Sequence, residues 1–164
     1  MRTRIFGTFL LALIPMAALA ADSEEEPFRG QGHVFYGPGQ VPGGGGTLQQ
    51  LGLGGDGFLY KGLAVGAEVG YQFPSEGFTY GYGLLSVNGS YHLNHNRHAK
   101  ISPFITGGYS LAFRSGHANL ANFGGGVTWW MAKHAGLRLE VRDYVWTCCN
   151  SQHSPSVLVG VSFR

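Results

Sequence analysis

The chain has 164 residues, enough for one domain, and only 12% of them are charged, about half the usual share of a soluble domain. Glycine supplies 28 residues and aromatic side chains 13%. Beyond the first 20 residues, no stretch approaches the roughly 18 continuous apolar residues that a transmembrane helix needs, so the sequence excludes a helical membrane protein.

The first 20 residues have the three parts of a secretory signal peptide. Arg2 and Arg4 form a positive head, residues 5–14 are mostly apolar, and Ala18-Leu19-Ala20 is an A-x-A cleavage site. Removing them lowers Lys plus Arg from 11 to 9, against 9 Asp plus Glu, so we expect a formally neutral exported chain with no indication of nucleic-acid binding. The acidic residues 21–29 are predicted to be a flexible periplasmic lead-in to a domain at 30–164.

From residue 30 onward, apolar side chains recur at every second position, which is the period of a β-strand. In the clearest strand, 61–73, Leu63, Val65 and Val69 fall on one face, and Glu68 falls on the other. Trp130 interrupts the alternation near the end of a later strand. Eight strands are predicted in total, at 30–37, 48–60, 61–73, 82–93, 101–113, 120–131, 137–145 and 157–163, of which the first two are the weakest.

The two faces of these strands suit two different environments. One face carries Leu, Val, Tyr and Phe, as hydrocarbon requires, and the other carries mainly Gly, Ser, Asn and Thr, which fit a narrow interior. Only a closed barrel satisfies every backbone group of strands in lipid. The sequence therefore predicts an all-β fold, an eight-stranded antiparallel transmembrane β-barrel with a polar, largely plugged lumen; an exported soluble barrel or sandwich is the alternative.

The predicted connections alternate in length, as in membrane barrels. With the N-terminus in the periplasm, the short or polar connections at 60–62, 94–99 and 133–136 lie on the periplasmic side. The longer connections at 37–46, 74–80, 114–118 and 147–155 then lie on the outer face.

Several runs resemble the OmpA/OmpX-type outer membrane beta-barrel domain family, namely GGYSLAFR (107–114), NFGGGVTWW (122–130) and GLRLEVRDYVW (136–146), with LYKGLAVGAEVGY (59–71) and VLVGVSFR (157–164) also similar. The resemblance covers about residues 30–164. It implies location in the bacterial outer membrane, contact with its lipid and lipopolysaccharide, and insertion by the barrel-assembly machinery, with a monomer favoured. It does not imply one activity, because such families include structural proteins, adhesins and enzymes.

Five charged side chains fall on the inward face and near predicted periplasmic turns: Asp56, Glu68, Arg138, Glu140 and Arg142. They should lie at roughly one level, with the seventh strand facing the second and third across a narrow barrel. Charges inside a membrane protein must be paired. We expect an internal salt-bridge network that plugs the lumen, because side chains fill the interior of an eight-stranded barrel. A gated path for small solutes is the alternative.

Catalytic and phosphate-binding motifs are weak. Some eight-stranded barrels are lipid A deacylases or acyltransferases, and the deacylase uses a Ser nucleophile with a His base oriented by a carboxylate. The nearest string here is Gln152-His153-Ser154-Pro155, predicted in a loop, and no strand carries H-x-S-N. The four glycines at 43–46 lack a following Lys-Ser/Thr and are predicted to be a flexible outer loop.

Histidine and cysteine give no firm site either. His92, His95 and His98 surround a predicted turn, where we expect solvated side chains rather than a metal site. Cys148 and Cys149 lie in the last outer loop of an exported chain, where they should oxidise; a vicinal disulfide and pairing between chains both stay open. We therefore predict no cofactor and no catalysis. The predicted protein is an integral outer-membrane protein with a structural or surface-interaction role, a lipid A-modifying enzyme and a narrow channel being the alternatives.

Overall fold

The computed structural model describes residues 29–94, 96, 98–146 and 152–164. The predicted signal peptide and all of the predicted lead-in except Arg29 lie outside these residues. The described chain forms eight strands, β1 (Gly30–Gln40), β2 (Thr47–Tyr60), β3 (Leu63–Pro74), β4 (Tyr82–His92), β5 (Ile101–Phe113), β6 (His117–Trp130), β7 (Ala135–Trp146) and β8 (Gln152–Phe163), with a short 3-10 turn at Phe78–Tyr80. No helix in this part of the chain is long and apolar enough to cross a membrane.

All eight strands are antiparallel to their neighbours, and β8 pairs with β1, so the sheet closes into a barrel. The predicted fold class is confirmed. Alternation explains the strands: in β3, Leu63 and Val65 are 46% and 49% exposed, whereas Ala64 between them is fully buried and Glu68 is 6% exposed. Apolar side chains thus cover the outside, and polar ones fill the inside, as in a membrane barrel.

The barrel has two ends that differ in their connections. The end that carries Gly30 and Phe163, here called the termini end, also holds the connections at 61–62, 93–100 and 131–134. The opposite end, here called the far end, holds the connections at 41–46, 75–81 and 114–116 and the one between β7 and β8. The tightest connection is the two-residue turn Lys61-Gly62, whose φ angles of 39° and 86° are those of a hairpin turn that matches the strand twist.

Three strand limits differ from the sequence prediction by three residues or more. β8 begins at Gln152, so the predicted loop at 147–155 was drawn too long. Pro155 lies within β8 opposite Asp143; it removes one ladder donor, but the residues on both sides continue the pairing with β7. β1 similarly continues through Pro38 to Gln40, and β6 starts at His117.

The interruption predicted at Trp130 was also wrong. Its side chain points inward and is 5% exposed, whereas that of Trp129 points outward and is 54% exposed. The alternation therefore continues to the end of β6, and the inward position simply carries a large aromatic side chain.

Candidate functional site

The lumen brings the five charged side chains together, and Arg142 is central among them. Arg142 on β7 is 1% exposed and reaches across the barrel to Glu68 on β3. Both terminal guanidinium nitrogens donate to the carboxylate, Nη2 to Oε1 at 2.9 Å and Nη1 to Oε2. Two parallel hydrogen bonds between planar charged groups form the strongest kind of ion pair. This pair ties together opposite walls of the barrel.

Glu140 links Arg142 to the second arginine. Arg142 Nε donates to Glu140 Oε1 at 2.6 Å, and Arg138 Nε donates to Glu140 Oε2 at 3.0 Å. The Arg138 guanidinium also lies over the Phe104 ring, 3.9 Å from its centroid, where a cation is attracted to the ring face. Asp56 is less tightly held, with its Oδ2 4.0 Å from Arg138 Nη1. Two arginines and three carboxylates thus nearly balance in charge.

Glycines make room for these side chains. Gly54 lies opposite Glu68, Gly66 opposite Asp56, Gly124 opposite Arg142 and Gly126 opposite Glu140. A Cβ at Gly54 would lie 2.5 Å from Glu68 Cγ, and one at Gly126 would overlap the carbonyl of Leu139 on β7. The inward glycines therefore leave the volume that the long charged side chains occupy.

Two polar residues of this network were not predicted from the sequence. His33 Nε2 lies 3.1 Å from Glu68 Oε1, and Gln31 Nε2 donates to Asp56 Oδ2 at 2.8 Å. Both lie at inward-facing positions of β1. Alternation would have identified them if it had been followed along this less regular strand. The prediction that His92 is solvated was wrong: it is 1% exposed and stacks on Phe104 with 5.2 Å between ring centroids.

Toward the far end, a chain of neutral hydrogen bonds continues from the charges. Tyr82 Oη donates to Gln72 Oε1 at 2.5 Å, Gln72 Nε2 to Gln50 Oε1 at 2.9 Å, and Gln50 Nε2 to Tyr144 Oη at 2.7 Å. Arg142 Nη1 lies 3.5 Å from the same Tyr144 oxygen. The charged side chains and these amides and phenols therefore form one continuous network rather than separate pairs.

An apolar cluster closes the lumen beyond Tyr144. Leu84, Ala112 and Leu120 are at most 5% exposed and pack with Tyr144, with Tyr82, Ala118 and Trp146 around them. The predicted polar lumen is therefore interrupted toward the far end by this one apolar cluster. Large side chains fill successive levels of the barrel, first as ion pairs, then as amides and phenols, and last as hydrocarbon.

The outer wall carries one close pair of a histidine and a carboxylate. His153 Nδ1 lies 2.6 Å from Asp143 Oδ2, and Asp143 Oδ1 accepts the backbone N–H of Ser154 at 3.0 Å. The string Gln152-His153-Ser154-Pro155 lies in β8 and not in a loop as predicted. Adjacent residues of a strand point to opposite faces, and Ser154 points inward, 1% exposed, with its hydroxyl donating to Gln40 O at 2.6 Å. Ser154 therefore cannot serve as a nucleophile activated by His153.

The remaining predicted features are the histidine cluster, the glycine run and the two cysteines. Among the described residues, no group of three or more His, Cys, Asp or Glu side chains could hold a metal ion. Residues 43–46 form part of the far-end turn at 41–46, where Val41 N donates to Gly46 O at 3.0 Å. His95, Cys148 and Cys149 lie outside the described residues.

No protein-family model and no curated protein matches the chain. Solved structures do match. The N-terminal β-barrel domain of Pseudomonas aeruginosa OprF gives a TM-score of 0.62 at 13% identity, over 84% of this chain and 100% of that one. Neisserial surface protein A gives 0.56 at 11% identity over 82% and 94%, and the outer membrane enzyme PagL gives 0.55 at 18% identity over 78% and 97%. The chain has the fold of outer-membrane eight-stranded barrels, and its OmpA/OmpX-type family membership stays a prediction.

Proposed function

We propose that the protein is an integral protein of the bacterial outer membrane with a structural or surface-interaction role, and that it is neither a pore nor an enzyme. The observation that carries this proposal is the filled lumen. Buried ion pairs, a chain of amides and phenols, and an apolar cluster succeed one another along the barrel axis. A solute would have to displace all three levels to pass.

The outer surface supports the membrane placement. Exposed apolar side chains cover the middle of the strands, and aromatic side chains occur toward both ends, including Tyr60, Trp129 and Phe163 at the termini end and Phe78 and Tyr80 at the far end. Aromatic rings favour the two interfaces of a bilayer, where they are half hydrated. We place the termini end in the periplasm and the far end outside the cell.

Planar-bilayer recording tests the closed lumen. We expect no stepwise current from the purified, refolded protein, because no level of the lumen is free of side chains. Flotation of the same preparation with lipid vesicles controls for insertion. Regular conductance steps from inserted wild-type protein would instead favour the narrow channel.

Lipid A modification is the second candidate function, favoured by one observation. The His153–Asp143 pair lies on the lipid-facing side of the wall near the far end, where a histidine base held by a carboxylate would meet lipid headgroups. Against it, Ser154 points away from this pair into the lumen. We expect mass spectrometry of lipid A from producing cells to match that from cells without the protein. A new lipid A species that disappears with His153→Ala would overturn the non-enzymatic proposal.

A further inference from the structure

The two ends of the barrel differ sharply in charge. Of the lysines and arginines in the described part of the chain, Arg138 and Arg142 lie in the lumen and only Arg114 lies at the far end. The remaining five are at the termini end: Arg29, Lys61, Lys100, Lys133 and Arg164. The described acidic residues outside the lumen, Glu76 and Asp143, are both toward the far end. The termini end is therefore a basic rim without acidic side chains among the described residues.

The lysines of this rim are evenly distributed. Each of the three connections at the termini end carries one, Lys61 between β2 and β3, Lys100 between β4 and β5, and Lys133 between β6 and β7. All three are exposed, and within the described residues none of them pairs with a carboxylate. We call these three residues the lysine ring.

The ring adjoins exposed aromatic side chains on the outer wall. Lys61 Nζ lies 5.3 Å from the centroid of the Tyr60 ring, and Tyr60 is 67% exposed. Lys100 precedes Ile101, which pairs directly with Trp129 on β6. Lys133 lies in the connection that follows β6. An aromatic side chain beside a lysine is the arrangement that holds a ring at the bilayer interface and a cation among headgroups.

We propose that the lysine ring binds the anionic headgroups of phospholipids in the leaflet next to the termini end; this inference rests on the proposed membrane function. The three lysines are distributed around the circumference of the barrel, and a lipid leaflet surrounds a barrel on all sides. A single docked peptide would contact only one side, so this distribution favours lipid. The ligand chemistry is the phosphate of a lipid with net negative charge, such as phosphatidylglycerol. Each lysine near an anionic surface favours association on the order of fivefold, an effect that salt weakens.

Trp129 provides a local reporter for the test, because it faces lipid between Lys100 and Lys133. The protein with Trp130→Phe and Trp146→Phe retains only this tryptophan and is reconstituted in phosphatidylcholine bilayers. Small amounts of brominated phosphatidylglycerol or brominated phosphatidylcholine are then added, and quenching of Trp129 gives the relative association of the two lipids. We expect several-fold preference for phosphatidylglycerol, lost in about 1 M salt.

Charge variants assign the preference to the ring. K100Q/K133Q should abolish it, and K100R/K133R should retain it. K61Q is the control, because it removes one lysine charge in a turn on the opposite side of the barrel and should leave quenching at Trp129 unchanged.

Three results would overturn the proposal. Equal quenching by the two lipids in the parent protein would leave the membrane placement intact but remove headgroup selection. Quenching by neither lipid would remove the membrane placement itself, and the ring proposal with it. A preference that appears only after deletion of residues 22–26, which carry Asp22 and three glutamates, would identify this acidic segment as the occupant of the ring.

Discussion

At the scale of single residues, burial makes the lumen charges interdependent. Glu68 accepts hydrogen bonds from Arg142 and contacts His33, while Glu140 serves both arginines. Removing one partner of a buried ion pair leaves an uncompensated charge, which costs far more than the pair itself contributes. The network therefore stabilises the barrel only while it is complete.

Glu68→Gln tests this dependence with little change in shape. The substitution places an amide against the Arg142 guanidinium and leaves Glu140 as the close carboxylate for two arginines. We expect the free energy of unfolding to fall by about 3–5 kcal/mol, measured by urea unfolding in phospholipid vesicles.

Glu76→Gln is the matched control, because Glu76 is exposed in the far-end connection at 75–81; its effect should stay within about 0.5 kcal/mol. Equal effects of the two substitutions would mean that the Glu68 pair does not stabilise the fold.

Inward-facing charges were easier to predict from the sequence than other inward-facing residues. Alternation placed Glu68 and Arg142 on the inner face because each lies in a long strand with a clear period. The same alternation places Leu84 and Leu120 on the inner face, where polar side chains were expected. No single strand shows that these two leucines pack together with Ala112 and Tyr144. His92 was expected to be solvated because it lies at the end of its strand, next to the turn that follows β4.

At the scale of the strands, pairing of β6 with β7 depends on glycine. Gly124, Gly125 and Gly126 face Arg142, Val141 and Glu140 in register. At the inward positions of this run, a Cβ would meet the backbone of β7 rather than the end of a flexible side chain. The three glycines therefore determine how closely β6 approaches the charged residues of β7.

Gly126→Ala should lower the free energy of unfolding by about 1–3 kcal/mol, because the added methyl overlaps Leu139 O and forces the two strands apart. The same vesicle-based unfolding measurement applies. Gly89→Ala on β4 is the control: its Cβ would meet only Gly107 O, 4.0 Å away, so little change is expected. An unchanged free energy of unfolding for Gly126→Ala would show that β6 can move away from β7 without destabilising the barrel.

Strand limits were harder to predict than strand number. Proline lacks the N–H that a strand ladder uses, so it often lies outside strands. Residues 147–155 were predicted to be a loop, but Pro155 occupies a strand position in β8, as Pro38 does in β1. Their strands survive because each neighbouring residue still pairs. The lumen contacts likewise depend on how far each strand is displaced along its neighbour, and no single strand encodes that offset.

At the scale of the whole molecule, closure and the apolar outer wall act together. Every strand has two partners, so unfolding any one of them opens the ladder on both sides. We expect heat-modifiable migration in detergent gels, with the unheated barrel running faster than the boiled chain, and β-rich circular dichroism only when detergent or lipid is present. A folded, water-soluble monomer without detergent would contradict the membrane placement.

Because β1 and β8 are neighbours, the first and last strands leave the barrel side by side, with Gly32 directly opposite Phe163. Seen around the circumference, the order of strands has no beginning. A chain circularly permuted by opening the glycine turn at Gly44 and joining the present ends with a short linker would keep every pair of strands in register. What would change is which strand is synthesised last, and therefore which one completes the ring.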